Sequence, residues 1–313
     1  MESVEKKGLL ASHIKALRPK QWTKNLVIYA APLFAFQLTL PTLINATIAL
    51  VLFCSLSSCF YLVNDILDVE SDRRHPVKRY RPIASGAVTV PVAIAMAIAL
   101  SIGSLSFGTL LSPYLGLVLA SYAVLQIAYN LQLKHKVILD VIAIATGFIF
   151  RACAGAAATN VVVSPWFLLC VAMLALFLGI EKRKAELRVS ELKGSKSRKV
   201  LYRYTHLLLA RMESSVTTGA IMCYALWSSG PAVRGATTPW MMLSLPFVIY
   251  GIFRYQLLSD PHEAAMRQQR SDRDSSTERP EEVLLTDLPT ALTVIAWGIT
   301  VFTIMMLNVQ GVL

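Results

Sequence analysis

Carboxylate and amide side chains are concentrated in residues 64–72, which read N-D-I-L-D-V-E-S-D. Asp65, Asp68 and Asp72 are spaced three and four apart, so a helix places all three carboxylates on one face. Carboxylates this close repel one another unless a cation lies among them. Oxygen ligands without His or Cys favour Mg²⁺, which also binds substrate phosphates. We therefore predict that the three aspartates are catalytic and that Asn64, Asp68 and Asp72 bind Mg²⁺.

A run with five cations follows directly, R-R-H-P-V-K-R-Y-R-P-I-A-S-G at residues 73–86. Taken alone, such a run most often marks the cytosolic side of a membrane protein. Beside a carboxylate cluster, it predicts a diphosphate held between Mg²⁺ and Lys or Arg donors. The simpler interpretation of the acidic run is a solvated helix end. A metal site is favoured over a solvated helix end because the acidic run 64–72 directly follows the apolar residues 59–63 of a membrane-spanning stretch, where carboxylates are costly.

The composition places these residues in a membrane protein. Of 313 residues, 55% are hydrophobic and 16% are charged, whereas soluble domains carry about 25% charged residues. The mean hydropathy is +0.55, which argues strongly against a cytosolic enzyme. The net charge of +11 therefore indicates anionic lipid or a phosphorylated substrate rather than nucleic acid. The five cysteines all lie in apolar runs and are interpreted as packing residues.

Nine apolar windows predict an all-α, polytopic membrane protein. With the N-terminus in the cytosol, 28 of the 30 Lys and Arg residues fall in cytosolic segments, as the positive-inside rule requires. We therefore predict about nine helices of an inner or plasma membrane protein around a central cavity open to the cytosol. The windows are 26–38, 42–63, 91–110, 113–129, 137–158, 162–180, 214–229, 239–257 and 289–309.

The flanking segments define the predicted domain organisation. Residues 1–25 alternate apolar and basic side chains, which predicts a cytosolic interfacial amphipathic segment. Residues 26–313 then form a single transmembrane catalytic domain. Within it, residues 259–282 are polar, charged and poor in large apolar side chains, which predicts a mobile cytosolic loop.

The motif N-D-x-x-D-x-x-x-D, the basic loop with R-P and the nine-helix layout resemble the UbiA superfamily of intramembrane prenyltransferases over nearly the whole chain. Four further stretches resemble the branch that transfers phosphoribose. That resemblance implies transfer of 5-phosphoribose from 5-phosphoribose 1-diphosphate to a polyprenyl monophosphate such as decaprenyl phosphate. Diphosphate is released, and the product is a precursor of cell-wall arabinose. The stretches are L-R-P-K-Q-W-T-K-N (17–25), Y-N-L-Q-L-K (129–134), D-V-I-A-I-A-T-G-F-I-F-R-A-C-A-G (140–155) and E-K-R-K-A-E-L (181–187).

The residues expected to bind the two substrates form two sets. Aromatic-prenylating relatives carry a second Asp-rich motif after the sixth window, whereas the loop expected here at 181–186 has no Asp. That departure predicts a lipid phosphate held directly by cations, although a positive-inside loop is the alternative. The lipid-phosphate residues are Tyr129, Lys182, Arg183 and Lys184. The donor-binding residues are Lys20, Lys24, Tyr61, Asn64, Lys78, Arg81, Lys134, Asp140 and Arg151.

The sequence leaves the role of Arg151 open. A helix that starts near Val137 carries Arg151 about 21 Å along its axis, so its charge must face protein, water or a partner. Structural pairing and a phosphate contact are equally supported.

Two other functions are weighed against the phosphoribosyl transfer. The first keeps the fold but uses a prenyl diphosphate as donor to an aromatic acceptor. The second is a lipid-phosphate transporter, which has no need of three carboxylates beside five cations. The predicted partners are the two substrates and the lipid bilayer, without nucleic acid, and a homo-oligomer is left open.

Overall fold

The computed structural model describes residues 10–75, 77–192, 199–233, 235–260, 263 and 287–312, and these contain helices but no strand. The predicted all-α class is therefore confirmed. Short 3₁₀ helices connect the longer elements, among them Pro19–Tyr29, Lys78–Tyr80 and Leu133–His135. The α-helices are α1 (10–16), α2 (Ala30–Phe34), α3 (Leu40–Leu67), α4 (Val69–Arg74), α5 (Val90–Leu111), α6 (Pro113–Leu131), α7 (Leu139–Thr159), α8 (Pro165–Leu192), α9 (His206–Ser228), α10 (Leu245–Ser259) and α11 (Leu288–Val309).

Seven helices among the described residues are long and apolar enough to cross a membrane. They are built on α3, α5, α6, α7, α8, α10 and α11, so the chain is a multi-pass membrane protein, but the count of nine is not confirmed. The window 26–38 forms the end of a 3₁₀ helix and the five-residue α2. The window 214–229 does form part of α9, but Arg211 and Glu213 make the first half of this helix polar.

Contacts between Cα atoms divide the chain into two compact units. The first unit comprises Met1–Leu33, Gln37–Asn130 and Phe150–Val161. In its core α3 packs against α5 and the 3₁₀ helix Pro19–Tyr29. Gly155 of α7 allows a close backbone approach, because a Cβ at this position would lie 1.9 Å from the carbonyl oxygen of Ile28. This contact holds the 3₁₀ helix against the first unit's part of α7.

The second unit comprises Phe34–Phe36, Leu131–Ile149 and Val162–Leu313. Helices α8 and α9 pack together in it, and α10 packs against α11. The α8 core includes Ile180 and Leu187, which are 1% exposed and pack with Val141 and Tyr204. At the start of α11, Asp287 Oδ2 accepts the backbone N–H of Thr290 at 3.0 Å, which satisfies one unpaired donor of the helix.

The predicted loop at 181–186 is wrong, because α8 continues to Leu192. The stretch has no Gly or Pro to end the helix. Ion pairs three residues apart also support the extra turns, between Lys184 and Glu181 and between Arg183 and Glu186. Residues 181–192 are therefore a helical extension of a membrane span.

The predicted domain division stays a prediction. In the described part of the segment 1–25, α1 precedes the 3₁₀ helix, and Ala16 is buried in a cluster with Cys59 and Leu62 of α3. This packing suits an interfacial helix that is tied to the first unit. Most of the predicted loop at 259–282 lies outside the described residues.

Candidate functional site

The carboxylate cluster lies where α3 meets α4. Asp68 caps the end of α3 with φ −92° and ψ 3°, and α4 begins at the next residue. The chain therefore stays close to helical across the junction, and Asp65 and Asp72 face the same cation, as their spacing predicts. Their side chains are 4% and 2% exposed. Arg81 Nη1 donates to both, at 3.1 Å from Asp65 Oδ1 and 2.6 Å from Asp72 Oδ2.

Two further cations contact this cluster, and one of them was missed by the sequence reasoning. Lys78 Nζ lies 4.0 Å from Asp72 Oδ1. Arg18 Nη2 donates to Asp65 Oδ1 at 2.5 Å, and its guanidinium lies 5.1 Å from the ring centroid of Tyr61. Arg18 stands in the 17–25 stretch that carried the resemblance, but nothing in its local sequence indicates a partner 47 residues away. We name Asp65, Asp72, Arg18, Lys78 and Arg81 the donor cluster.

Arg151 occupies a separate buried position in the first unit. Its Nε donates to Asn25 Oδ1 at 2.7 Å, and its guanidinium lies 5.2 Å from the Phe53 ring centroid and 5.4 Å from that of Tyr122. Such cation–π contacts stabilise a charge away from water. The structure thus gives Arg151 a pairing within the protein, and its contact with substrate phosphate stays a prediction. Asn25, a second residue that the sequence reasoning missed, orients this arginine.

Asp140 and Arg183, which were predicted to bind different substrates, pair with each other in the second unit. Arg183 Nε lies 2.8 Å from Asp140 Oδ2, and the two side chains are 1% and 0% exposed. Tyr204 donates to Asp140 Oδ1 at 2.7 Å and accepts the backbone N–H of Ile138 at 2.8 Å. Burial and the hydrogen bond to Asp140 raise the pKa of Tyr204, so its hydroxyl stays protonated and donates. We name Asp140, Arg183, Tyr204 and Glu186 the closed cluster.

Lys184 lies beside the closed cluster in sequence but faces different partners. Its Nζ donates to Glu181 Oε1 at 3.0 Å and to Glu213 Oε2 at 2.6 Å. With Glu213, Thr217, Gln256 and other polar side chains, Lys184 lines a cavity of about 510 Å³ formed by α8, α9 and α10. Two carboxylates share this one ammonium, so the predicted contact of Lys184 with lipid phosphate stays a prediction that requires those pairs to rearrange.

Comparison with known proteins gives this architecture a family. The sequence model of the UbiA prenyltransferase family matches residues 26–271. The chain belongs to the UbiA prenyltransferase family. The predicted resemblance is therefore confirmed.

Curated relatives extend this match over nearly the whole chain. A decaprenyl-phosphate phosphoribosyltransferase of Mycobacterium tuberculosis (strain CDC 1551 / Oshkosh) is 36% identical over 300 residues, which cover 94% of each chain. One of Corynebacterium glutamicum is 40% identical and covers 93% of this chain and 86% of the relative. These relatives confirm the predicted enzyme class, a transferase of the UbiA family.

The solved structure of a UbiA homolog from Archaeoglobus fulgidus, bound to DMAPP and Mg²⁺, has the same fold with a TM-score of 0.67. It is 18% identical and covers 93% of this chain and 98% of that chain. At this identity, the likeness establishes the fold alone.

The predicted Mg²⁺ ligands Asn64, Asp68 and Asp72 all lie at the α3–α4 junction, and their binding of a metal stays a prediction. Within the described residues, no three His, Cys, Asp or Glu side chains form a group that could hold a metal ion. The carboxylates of Asp65 and Asp72 both form ion pairs with Arg81. Asn64 and Asp68, one helical turn apart, make no side-chain hydrogen bond or ion pair within the described part of the chain. These two oxygen donors fit a cation that completes its coordination with water and phosphate oxygens, as Mg²⁺ does.

The remaining predicted residues lie in neither cluster. Lys20 is exposed, Lys24 Nζ contacts Gln21 Oε1, and Tyr129 and Lys134 are half-buried. Lys182 is likewise half-buried on α8. Their roles in substrate binding stay predictions.

Proposed function

We propose that this UbiA-family transferase moves 5-phosphoribose from 5-phosphoribose 1-diphosphate to a polyprenyl monophosphate such as decaprenyl phosphate. Diphosphate leaves, and the product supplies cell-wall arabinose. The observation that carries this proposal is the identity of 36–40% to decaprenyl-phosphate phosphoribosyltransferases over at least 93% of this chain. The donor cluster supports it, because it presents cations and carboxylates at a helix end suited to a sugar diphosphate.

The donor's diphosphate binds at the α3–α4 junction. Asn64 and Asp68 would hold Mg²⁺, which would neutralise charge on the leaving diphosphate. Lys78 and Arg81 donate hydrogen bonds to the diphosphate oxygens, and such charge-assisted bonds are stronger than neutral ones. Asp65 and Asp72 hold the Arg81 guanidinium in place beforehand, so little reorganisation is needed when the substrate arrives. Arg18 also pairs with Asp65, so this carboxylate keeps a second cation when Arg81 donates to the diphosphate.

The acceptor needs no general base from the protein. A phosphate with a second pKa of about 6 is already ionised near neutrality, and its oxygen attacks the anomeric carbon from the face opposite the leaving diphosphate. Positive charge develops on the ribose as the bond to diphosphate breaks. The protein's task is therefore to orient two phosphorylated substrates and to exclude competing water.

The proposed reaction takes place at the cytosolic face of the inner or plasma membrane. A phosphoribosyl diphosphate is too highly charged to cross a bilayer, so its site opens to the cytosol, the side on which the positive-inside rule also predicts the N-terminus. The polyprenyl tail of the acceptor stays in the inner leaflet while its phosphate reaches the protein.

Purified protein in nanodiscs tests this function directly. Labelled 5-phosphoribose 1-diphosphate and decaprenyl phosphate should give a labelled lipid with Mg²⁺ and none with EDTA. A parallel reaction offers a prenyl diphosphate and an aromatic acceptor, which is the chemistry of the alternative function. Product only in the parallel reaction would replace the proposal with prenyl transfer, and product in neither would favour the transporter.

A further inference from the structure

The basic loop after α4 carries donor cations but has no apolar packing of its own. The described residues between Asp72 and Arg81 are all exposed, with Val77 and Tyr80 at 72% and 63%. Burial resumes at Pro82 and continues at Ile83, which is 1% exposed. Because an exposed segment gains little from apolar contacts, the conformation of this loop depends on hydrogen bonds.

His75 supplies several of those hydrogen bonds. Its Nδ1 accepts the backbone N–H groups of Val77 and Lys78, each at 3.2 Å. The backbone N–H of His75 donates to the carbonyl oxygen of Asp72 at 3.1 Å, and the backbone carbonyl oxygen of His75 accepts from the N–H of Arg79 at 3.2 Å. In the described part of this loop, no other side chain accepts a backbone N–H. Because Nδ1 accepts, this geometry assigns the ring N–H to Nε2.

The two N–H groups that His75 accepts lie at the start of the 3₁₀ turn Lys78–Tyr80. The first N–H groups of a helical turn have no acceptor within the turn and need one from outside. The turn then ends with the N–H of Arg81 donating to the carbonyl oxygen of Lys78 at 2.9 Å. The acceptor on His75 therefore holds the backbone turn from which the side chains of Lys78 and Arg81 project. Both side chains point at Asp72.

We propose that His75 is a positioning residue that holds Lys78 and Arg81 in place for the diphosphate of the donor, without contacting the donor itself. Its Nδ1 fixes the turn, the turn fixes the two cations, and the cations bind phosphate oxygens. The identity of the donor rests on the proposed function, but the hydrogen bonds of His75 do not.

Two variants separate the ring acceptor from the ring itself. In His75→Asn, Oδ1 lies one bond beyond Cγ, as Nδ1 does in histidine, so the acceptor is kept. His75→Phe keeps a ring of similar size but has no acceptor. We expect His75→Phe to raise the KM for 5-phosphoribose 1-diphosphate about five-fold to ten-fold, which matches the loss of one or two hydrogen bonds. Its kcat and its KM for polyprenyl phosphate should stay within about two-fold of the wild type.

His75→Asn should restore the donor KM to within about two-fold of the wild-type value. The matched control is His206→Ala, because His206 is also exposed but its ring contacts Glu191 at 2.9 Å instead of backbone N–H groups. This control should leave both KM values unchanged. Asparagine that performs as poorly as phenylalanine, or phenylalanine with a wild-type donor KM, would overturn the proposal.

Hydrogen exchange provides a readout that needs no activity. Millisecond exchange followed by mass spectrometry should show the amides of Val77 and Lys78 exchanging at least about three-fold faster in His75→Phe than in wild type and His75→Asn. Equal exchange in all three proteins would overturn the positioning role even if transfer is observed. If wild-type protein transfers no phosphoribose, the proposed function fails, while the exchange result still decides the role of His75.

Discussion

The donor cluster and the closed cluster both pair arginine with buried aspartate but differ in how far their cations are exposed. In the donor cluster, the side chains of Arg18, Arg81 and Lys78 are 28%, 27% and 46% exposed, while their carboxylate partners are buried. In the closed cluster, Arg183 and Asp140 are 1% and 0% exposed. A cation that still contacts water can exchange a carboxylate for a phosphate at small cost, whereas a fully buried pair cannot open without leaving a charge uncompensated. We therefore expect the donor cluster, and not the closed cluster, to bind a substrate.

The largest expected effect of this difference is on stability. Arg183→Ala leaves Asp140 buried beside Tyr204 without its cation, and removing one partner of a buried pair costs about 3–5 kcal/mol. We expect thermal unfolding in detergent to shift to clearly lower temperature. Arg81→Ala should lower the unfolding temperature less, because Arg18 still pairs with Asp65 and Lys78 still lies near Asp72.

Neutralising both partners provides the control for this stability effect. Arg183→Leu combined with Asp140→Asn removes the charges together and should recover part of the lost stability. An Arg183→Ala protein that is as stable as wild type but fails to bind polyprenyl phosphate would instead support the predicted phosphate contact of Arg183.

Catalysis should respond most strongly at the α3–α4 junction. Asp68→Ala removes a proposed Mg²⁺ ligand, and Asp72→Ala releases Arg81 and Lys78. We expect each to lower kcat about 100-fold, by analogy with the removal of one preorganised transition-state contact, while circular dichroism and unfolding temperature stay unchanged. Titration with Mg²⁺ distinguishes the two, because only Asp68→Ala should need more metal. Near-normal turnover of both variants at saturating Mg²⁺ would contradict the assignment.

A third ion pair, between Arg254 and Asp287 at the start of α11, lies between these extremes. The side chains are 21% and 7% exposed, with Arg254 Nη2 at 2.8 Å from Asp287 Oδ1. Burial alone raises the pKa of Asp287, but hydrogen bonds from Arg254 and Thr290 outweigh it and lower the pKa to about 2. A lowered carboxylate pKa stabilises the fold above the unfolded pKa of about 4, and this stability is lost as the pH falls towards 2.

The shift at Asp287 corresponds to about 2 kcal/mol at neutral pH. Asp287→Asn should therefore unfold at lower temperature than wild type at pH 7, and the two unfolding temperatures should converge as the pH approaches 2. A constant difference across that range would mean that the carboxylate charge contributes nothing and that only the cap geometry matters.

Local spacing was enough to predict part of the donor cluster but none of its long-range contacts. Asp65 and Asp72 share a face because a helix continues through the junction, which the sequence indicates directly. Arg18 could not be found in this way, because its partner is 47 residues away and a basic residue near a membrane span is usually a topology signal. Asn25 was missed for the same reason, since its role depends on the approach that Gly155 permits.

The helical structure of the stretch that carries Arg183 is indicated by the spacing of its apolar residues, whereas its basic charge suggests a loop. The stretch 181–187 is basic, which favoured an exposed loop. Ile180 and Leu187, however, are both buried and lie seven residues apart. They share one face of the helix with Arg183 and Lys184. That apolar repeat of two helical turns was the available signal that α8 continues and that Arg183 faces the interior.

The smallest expected effects test whether Lys78 and Lys182 bind different substrates. Lys78 is 46% exposed and only 4.0 Å from Asp72, so Lys78→Ala should raise the KM for 5-phosphoribose 1-diphosphate about ten-fold through the loss of one charge-assisted hydrogen bond. Its KM for polyprenyl phosphate should not change. Lys182→Ala, on the helical extension of α8, should show the opposite pattern, with a similar increase for the lipid only. Steady-state kinetics with each substrate varied against a saturating partner gives the four KM values. If Lys78→Ala and Lys182→Ala changed the two KM values in the same way, the prediction that these lysines bind different substrates would be wrong.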